Sequence, residues 1–410
     1  MTECPIVENA ASMLSVVIPA YNEEDGIAEI IERVLAVRPA LAEIGLGLEL
    51  IVVDDGSADR TAEIVRQYPE VRLLQHHPNR GYGAALKSGF CAAEGDLLSF
   101  LDADGTYPPE SFPDLCRAIL NGADLVVGSR RSGAASGMPL VRKVGNFVWS
   151  RLVTALSGRP VLDPASGMRV FRRAILTKLY PLPDGLNFTP VMSTRAVHEG
   201  LKFVEIAMPY EERLGRSKLN VVRDGMRFLQ TIVWTALYYN PARPLGGLGF
   251  ALFCLGTLLA LGLVGLRLSG VTTLGPWGVA AMFAAMLAGI VGFNLFALGA
   301  TFNYLVALFN RGIVQKGLFG RPIFDPPLDR HFWWMGLGAL LGGLGLGVVS
   351  LALGVNGWAI ERLWFYMAAG AMLALMGVQL LVFWIIMRVL EELSQREGLI
   401  EADLERHYVC

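Results

Sequence analysis

The 410 residues predict two units built for two solvents: an α/β unit with a mostly parallel sheet, followed by an α-helical membrane unit of four transmembrane helices. Three observations carry this prediction. Short apolar runs alternate with helix-patterned segments through the first half, the pattern of strands linked by crossover helices. Charged residues make up 18% of the chain, below the roughly 25% of an ordinary soluble domain, and mean hydropathy is +0.45. Composition also changes abruptly near Pro244, beyond which 246–266 and 268–310 carry no charge.

In chain order, strands are expected at 14–18, 48–53, 71–75, 96–101 and 124–127, with helices at 26–37, 59–67, 82–93 and 109–121 between them. The run at 14–20 has an acidic rather than basic context, which reads as a strand and not as a secretory signal. Residues 138–153, with Arg142 and Lys143, read as a loop over the strand ends. Segment 220–240 places Val222, Met226, Leu229, Val233 and Leu237 at helical spacing, with Arg223, Asp224 and Arg227 elsewhere. Just before a span this reads as an amphipathic helix in the membrane interface, although a packed core helix has the same period.

A bilayer core of about 30 Å needs about 20 apolar helical residues, and spans are expected at 245–267, 277–309, 332–355 and 363–388. Basic residues gather between the second and third spans (Arg311, Lys316, Arg321, Arg330) and in the tail (Arg388, Arg396, Arg406), against Arg267 and Arg362 on the other side. That asymmetry puts the first half, the middle connection and the C-terminus in the cytoplasm. The two hairpins read as a diverged duplication, with Gly292-Phe293-Asn294-Leu295 and Gly377-Val378-Gln379-Leu380 at matching places. The expected divisions are therefore 1–217, an interfacial helix at 218–243, the membrane domain at 244–390 and a tail at 391–410. A net charge of -2 gives no pull towards nucleic acid. Five scattered cysteines without a CxxC pair argue against a disulfide framework or a thiolate zinc site.

Ligands of parallel sheets bind beyond the carboxyl ends of the strands. Strand one runs into Pro19-Ala20-Tyr21-Asn22-Glu23-Glu24, strand two into Asp54-Asp55-Gly56-Ser57, and strand four into Asp102-Ala103-Asp104-Gly105. Five carboxylates (Glu23, Asp54, Asp55, Asp102, Asp104) are thereby expected on one edge, where they repel unless a cation or hydrogen-bond donors compensate. Hard oxygen ligands of this kind suit Mg²⁺ or Mn²⁺ bridging the phosphates of a nucleotide. Taken singly, each motif is also an ordinary turn or helix cap; the ordered set at successive strand ends is what points to a site. Arg80-Gly81-Tyr82-Gly83 resembles half a dinucleotide fingerprint, in the wrong place and without its third glycine, and His76, His77 and His198 read as structural or solvated.

These motifs resemble those of family 2 glycosyltransferases of the GT-A fold. Two later blocks, Asp163-Pro164-Ala165-Ser166-Gly167-Met168-Arg169 and Arg213-Leu214-Gly215-Arg216-Ser217-Lys218-Leu219, resemble those of polyprenol-phosphate glycosyltransferases, the dolichol-phosphate mannose synthase group. The resemblance covers roughly residues 12–240. It implies that Pro19, Ala20, Tyr21, Glu23, Asp54, Asp55, Asp102 and Ala103 hold the nucleotide sugar, that Asp102 and Asp104 hold the metal, and that Arg130, Arg142, Ser166, Arg213, Ser217 and Lys218 receive the acceptor phosphate. Asp102, Asp104 and Arg130 would then be the catalytic residues. One departure stands out: Gly105-Thr106-Tyr107 follow Asp-x-Asp where mannose synthases often have Leu-Gln, which leaves the third metal ligand and the sugar open.

The function so implied is inverting transfer of a hexose from a GDP- or UDP-sugar to an undecaprenyl or dolichyl phosphate, at the cytoplasmic face of a lipid bilayer. A hydroxyl acceptor on a glycolipid or polysaccharide is the alternative, although the Q-x-x-R-W block of processive synthases is absent and no base stands out after Asp104. A non-enzymatic translocator or scaffold is the third reading, weakened by spans almost without ionisable residues. The apolar helices also allow a homo-oligomer.

Overall fold

The computed structural model describes residues 12–130, 140–209, 221–271, 274–309, 328–358 and 360–407. The chain forms two compact units, Met1–Thr235 and Ala236–Cys410.

In the first unit, β1 (Met13–Ala20), β2 (Gly47–Asp54), β3 (Val71–Gln75), β4 (Leu97–Leu101) and β5 (Leu125–Ser129) occupy the five expected runs. Between them lie α1 (Ile27–Ala36), α2 (Arg38–Ala42), α3 (Thr61–Val65), α4 (Tyr82–Ala92) and α5 (Phe112–Leu120). The chain continues through α6 (Leu140–Ser157), β6 (Met168–Arg172), α7 (Leu176–Leu179), α8 (Phe188–His198), β7 (Phe203–Ala207) and α9 (Val221–Tyr239). Two findings differ from the sequence reading. The loop expected at 138–153 is instead the helix α6 from Leu140 onward, and the sheet gains β6 and β7.

The sheet has seven strands in the order β3-β2-β1-β4-β6-β5-β7. β6 runs antiparallel to both neighbours, and every other pair is parallel. Burial on both faces explains why β1 is apolar almost throughout. Val16 and Ile18 pack with Ile27 and Ile31 of α1, while Val17 packs with Ile51, Phe100 and Phe90 on the opposite face. The reversal of β6 matters for the site, because its first residues arrive at the edge where the parallel strands end.

The second unit holds α10 (Gly247–Leu268), α11 (Pro276–Phe309), α12 (Phe332–Val355) and α13 (Ile360–His407), with four stretches long and apolar enough to cross a membrane. α13 continues to His407, beyond the span end expected at 388, because the following residues are mostly good helix formers. Each hairpin closes at backbone contact through glycines. A Cβ on Gly249 would stand 2.6 Å from the Gly292 carbonyl oxygen, and one on Gly336 would stand 2.9 Å from that of Gly377. One turn-pair further, Gly256 meets Ala285 and Gly289 as Gly343 meets Gly370 and Ala374. Small residues at such crossings let helix backbones approach where lipid offers no hydrophobic drive.

Candidate active site

The loops after β1 and β2 are laced together by their own side chains. Asn22 sits at φ 51, a left-handed conformation Asn tolerates, and its Oδ1 accepts from the Ala58 N–H at 2.8 Å. In return, the Asn22 N–H donates to Ser57 Oγ (2.9 Å), the Glu23 N–H to Thr61 Oγ1 (2.9 Å) and the Glu24 N–H to Asp59 Oδ2 (3.1 Å). Tyr21 is thus presented, 41% exposed, from a loop of fixed shape. Pro19 and Ala20 are buried within β1, so their contribution is a backbone floor rather than side-chain contact.

The five expected carboxylates do not form one acidic cluster; among the described residues no group of three or more His, Cys, Asp or Glu gathers closely enough to hold a metal ion. Compensation comes from donors instead. Asp54 is buried, with Oδ1 accepting from the Ser57 N–H (3.0 Å) and Oδ2 from Gln75 Nε2 (3.1 Å). Asp55 is buried too: Oδ1 accepts from the Arg80 N–H (2.9 Å) and lies 2.6 Å from His76 Nδ1, and Oδ2 accepts from the Gly81 N–H (2.8 Å). His76 Nε2 lies 2.9 Å from Ser88 Oγ, which completes a buried chain from the sheet edge to α4. Gly81, at φ 100, turns its N–H inward, and so Arg80 and Gly81 serve as a nest for Asp55.

Asp102 and Asp104 follow the end of β4, and each accepts hydrogen bonds there. The β4–β6 register pairs Leu101 with Met168, so Asp102 is set beside Gly167. A Cβ on Gly167 would stand 1.9 Å from Asp102 Oδ2, a place only glycine can occupy. The Tyr82 hydroxyl donates to Asp102 Oδ1 at 2.7 Å, and the Gly167 N–H donates to Tyr107 Oη at 2.6 Å. Burial, and then the charge of Asp102, push the Tyr82 phenol well above its usual range, so it stays a donor. Burial likewise pushes the Tyr107 phenol up. Asp104 Oδ1 accepts from the Thr106 N–H (3.1 Å) and the Thr106 hydroxyl (2.6 Å), while Ala103 between the two acids is buried in the core.

Beyond β5 lies a second anchored group. Arg130 makes a two-pronged ion pair with Asp163, Nε to Oδ2 and Nη2 to Oδ1, both at 2.8 Å, and its guanidinium lies 5.4 Å from the centre of the Tyr107 ring. Burial opposes the Asp163 charge, yet Arg130 and its hydrogen bonds hold the carboxyl below the usual range; Asp163 in turn outweighs burial and holds Arg130 charged. Asn146 of α6 adds a bond to Asp163 at 3.0 Å, and Glu205 of β7 accepts the Leu162 and Asp163 N–H groups. Arg169 is fully buried, gives Nε to the Ser166 carbonyl and Nη2 to the Pro164 carbonyl, and is lowered by burial to about 10.

Two residues expected at the acceptor phosphate therefore have other work. Ser166 is fully buried and gives its hydroxyl proton to the Gly128 carbonyl at 2.6 Å; Arg130 is engaged by Asp163. Arg142 lies on α6, and Arg213, Ser217 and Lys218 fall outside the described residues. Tyr82, Gly167 and Tyr107 are the supports sequence reading missed; the signal available was the glycine of the Ser166-Gly167-Met168-Arg169 block falling in register beside Asp-x-Asp.

Residues 15–180 match a family described as "Glycosyl transferase family 2", and 241–401 match one described as "Domain of unknown function (DUF8752)". The chain is 33% identical over 305 residues to an undecaprenyl-phosphate 4-deoxy-4-formamido-L-arabinose transferase of Photorhabdus laumondii, covering 72% of this chain and 90% of that one. It is 32% identical over 224 residues to a dolichyl-phosphate hexose transferase of Haloferax volcanii, covering 55% of this chain and 94% of that one. A crystal structure of glucosyl-3-phosphoglycerate synthase from Mycobacterium tuberculosis is similar with a TM-score of 0.46 and 24% identity, covering 55% of this chain and 78% of that one. With residues 15–180 matching that family and 33% identity to a relative covered over 90% of its length, the chain belongs to glycosyl transferase family 2.

Proposed function

We propose that this protein moves a hexose from a GDP- or UDP-sugar to a polyprenyl phosphate at the cytoplasmic face of the membrane, with inversion at the anomeric carbon. The observation that carries the reading is the pair Asp102 and Asp104, held at the end of β4 by Tyr82, Gly167 and Thr106. It stands in a chain whose curated relatives are named as undecaprenyl-phosphate and dolichyl-phosphate sugar transferases.

The donor set fits a divalent cation with few protein ligands. Two carboxylates supply hard oxygens, and Mg²⁺ or Mn²⁺ commonly completes its shell with diphosphate oxygens and water. Bound at Asp104 and Asp102, such an ion supplies charge neutralisation on the departing nucleoside diphosphate. Tyr21 and Glu23 border the nucleotide from the laced loop, above the floor of Pro19 and Ala20. A lipid monophosphate is already ionised near neutral pH, its second pKa being about 6, so no strong base is needed. Positioning and charge then do most of the catalysis. Arg142, Arg213, Ser217 and Lys218 are the proposed phosphate ligands; Arg130 orders the site through Asp163 rather than by meeting the acceptor.

α9 supports the membrane-surface location. Phe228 packs on Trp149 of α6, while Met226 and Trp234, both 64% exposed, leave an apolar side beside Arg223 and Arg227. The test is incubation of the purified full chain with radiolabelled GDP- and UDP-hexoses and polyprenyl phosphate, followed by lipid extraction. Label should enter the lipid phase only when lipid phosphate and a divalent cation are both supplied. Label in free sugar or polymer alone would overturn the reading.

A further inference from the structure

The two hairpins of the second unit match residue for residue at their crossings. Gly249 and Gly256 correspond to Gly336 and Gly343 at one constant spacing, and Ala285, Gly289 and Gly292 correspond to Gly370, Ala374 and Gly377 at another. The matched positions make matched contacts: Gly256 faces Ala285 and Gly289 just as Gly343 faces Gly370 and Ala374. The duplication is thus a structural repeat, and its units can be compared face by face.

The outer contacts of the two repeats are not alike. α11 packs on α13, with Phe293, Ala297 and Ala300 in one apolar cluster with Leu380, Phe383 and Met387. Met372 acts as a knob there, its sulfur 3.7 Å from where a Gly289 Cβ would stand. The repeat gives α13 the same face, formed by Val378, Val382 and Ile385, and all three are exposed, by 44% to 53%. It also gives α11 the same knob, Leu287, which is 66% exposed, and the corresponding hole is Ala374. Each chain therefore carries an unfilled copy of both halves of an interface it already makes once internally.

We propose that a second copy of this chain completes that interface, with Leu287 of one copy over Ala374 of the other and the reverse contact closing the assembly. A contact between unlike faces generates rings when it closes, and close side-chain packing rather than hydrophobic burial drives it in lipid. The occupant is a second copy because the internal α11–α13 contact already shows what shape that face takes. The proposal is independent of the sugar chemistry.

The test is cysteine cross-linking of the full chain in lipid nanodiscs and membranes. Leu287→Cys/Ala374→Cys should yield a two-chain species on a denaturing gel. Gly289→Cys/Met372→Cys, the internal counterpart, should close within one chain and leave no two-chain band beyond that of the wild type. Val348→Cys, exposed on α12, reports random collision. A two-chain band no stronger than that of Val348→Cys would overturn the proposal and leave these faces to lipid tails. Single-molecule mass of the wild type in nanodiscs reads the same question without substitution: one chain per disc at all protein-to-lipid ratios overturns it.

Discussion

Gly167→Ala is the sharpest probe of the site, because a single methyl group would displace one carboxylate. The added Cβ would stand 1.9 Å from Asp102 Oδ2 and 2.4 Å from its Cγ. Gly167 does not have a left-handed φ, so the cost is steric and falls first on Asp102. Reaching ordinary contact demands a retreat of about 1.5 Å. That movement breaks the Tyr82 bond to Oδ1, a hydrogen bond to a charged group worth about 1.5–3 kcal/mol. Misplacement of a catalytic group by about 1 Å costs about 100-fold in rate, and Gly167→Ala should lower kcat for transfer into lipid by about that factor. Overpacking of this kind costs about 1–3 kcal/mol of stability, so the chain remains folded and the loss is read on intact protein. Tyr82→Phe releases the same carboxylate without crowding it and should cost about tenfold, the equivalent of about 1.4 kcal/mol. Unchanged transfer by Gly167→Ala, with unfolding temperature lowered as expected, would refute the claim that Asp102 must sit where β6 holds it.

Asp104→Asn keeps an acceptor for Thr106 but removes the charge; transfer should be lost with circular dichroism unchanged, and wild-type activity in chelator would dismiss the metal role. Arg130→Ala strands a buried carboxylate and should cost about 3–5 kcal/mol in denaturant unfolding, whereas a small change would mean Asp163 is reached by water. Because Asp163 is held below the usual carboxylate range, its stabilisation is complete at and above that range and is lost as pH falls through the lowered native value. Wild-type unfolding temperature should accordingly fall between pH 5 and pH 3 more steeply than that of Asp163→Asn; parallel curves would count against it. Arg213→Ala and Lys218→Ala should raise KM for lipid phosphate more than KM for the nucleotide sugar, and an equal effect on both would place them elsewhere.

Four of the five strands that sequence reading found lie inside the sheet and are largely buried, and β3, at one edge, showed by its short apolar run. Val16, Val17 and Ile18 advertise a β-strand because every residue must be apolar there. β6 and β7 escaped for opposite reasons. In β6 (Met168–Arg172) two arginines interrupt the apolar run: Arg169 is fully buried, and its guanidinium is accommodated by backbone carbonyls that no local pattern announces. In β7 (Phe203–Ala207), at the edge opposite β3, Val204 is exposed and Glu205 is turned to the Leu162 and Asp163 amides, so its alternation is weak. The missing strand mattered more than its length suggests. Without β6 reversed between β4 and β5, nothing in the sequence says that Ser166 and Gly167 return to the edge where Asp102 ends.

The same limit governs the acids. Glu23, Asp54, Asp55, Asp102 and Asp104 look alike as letters, each following a strand or its loop, and their repulsion calls for a cation or for hydrogen-bond donors. What the letters do not show is the supply of hydrogen-bond donors, chiefly backbone N–H groups of Ser57, Arg80, Gly81 and Thr106, which any residue except proline carries and no composition records. Asp54 and Asp55 are buried and well supplied with donors. Asp102 takes a phenol on one oxygen and a glycine's bare backbone against the other, an arrangement that holds a carboxylate in place. An immobile carboxylate at the ligand edge would suit a divalent cation that takes up charge on a departing diphosphate, so Asp102 is marked out by the glycine backbone that fixes one of its oxygens.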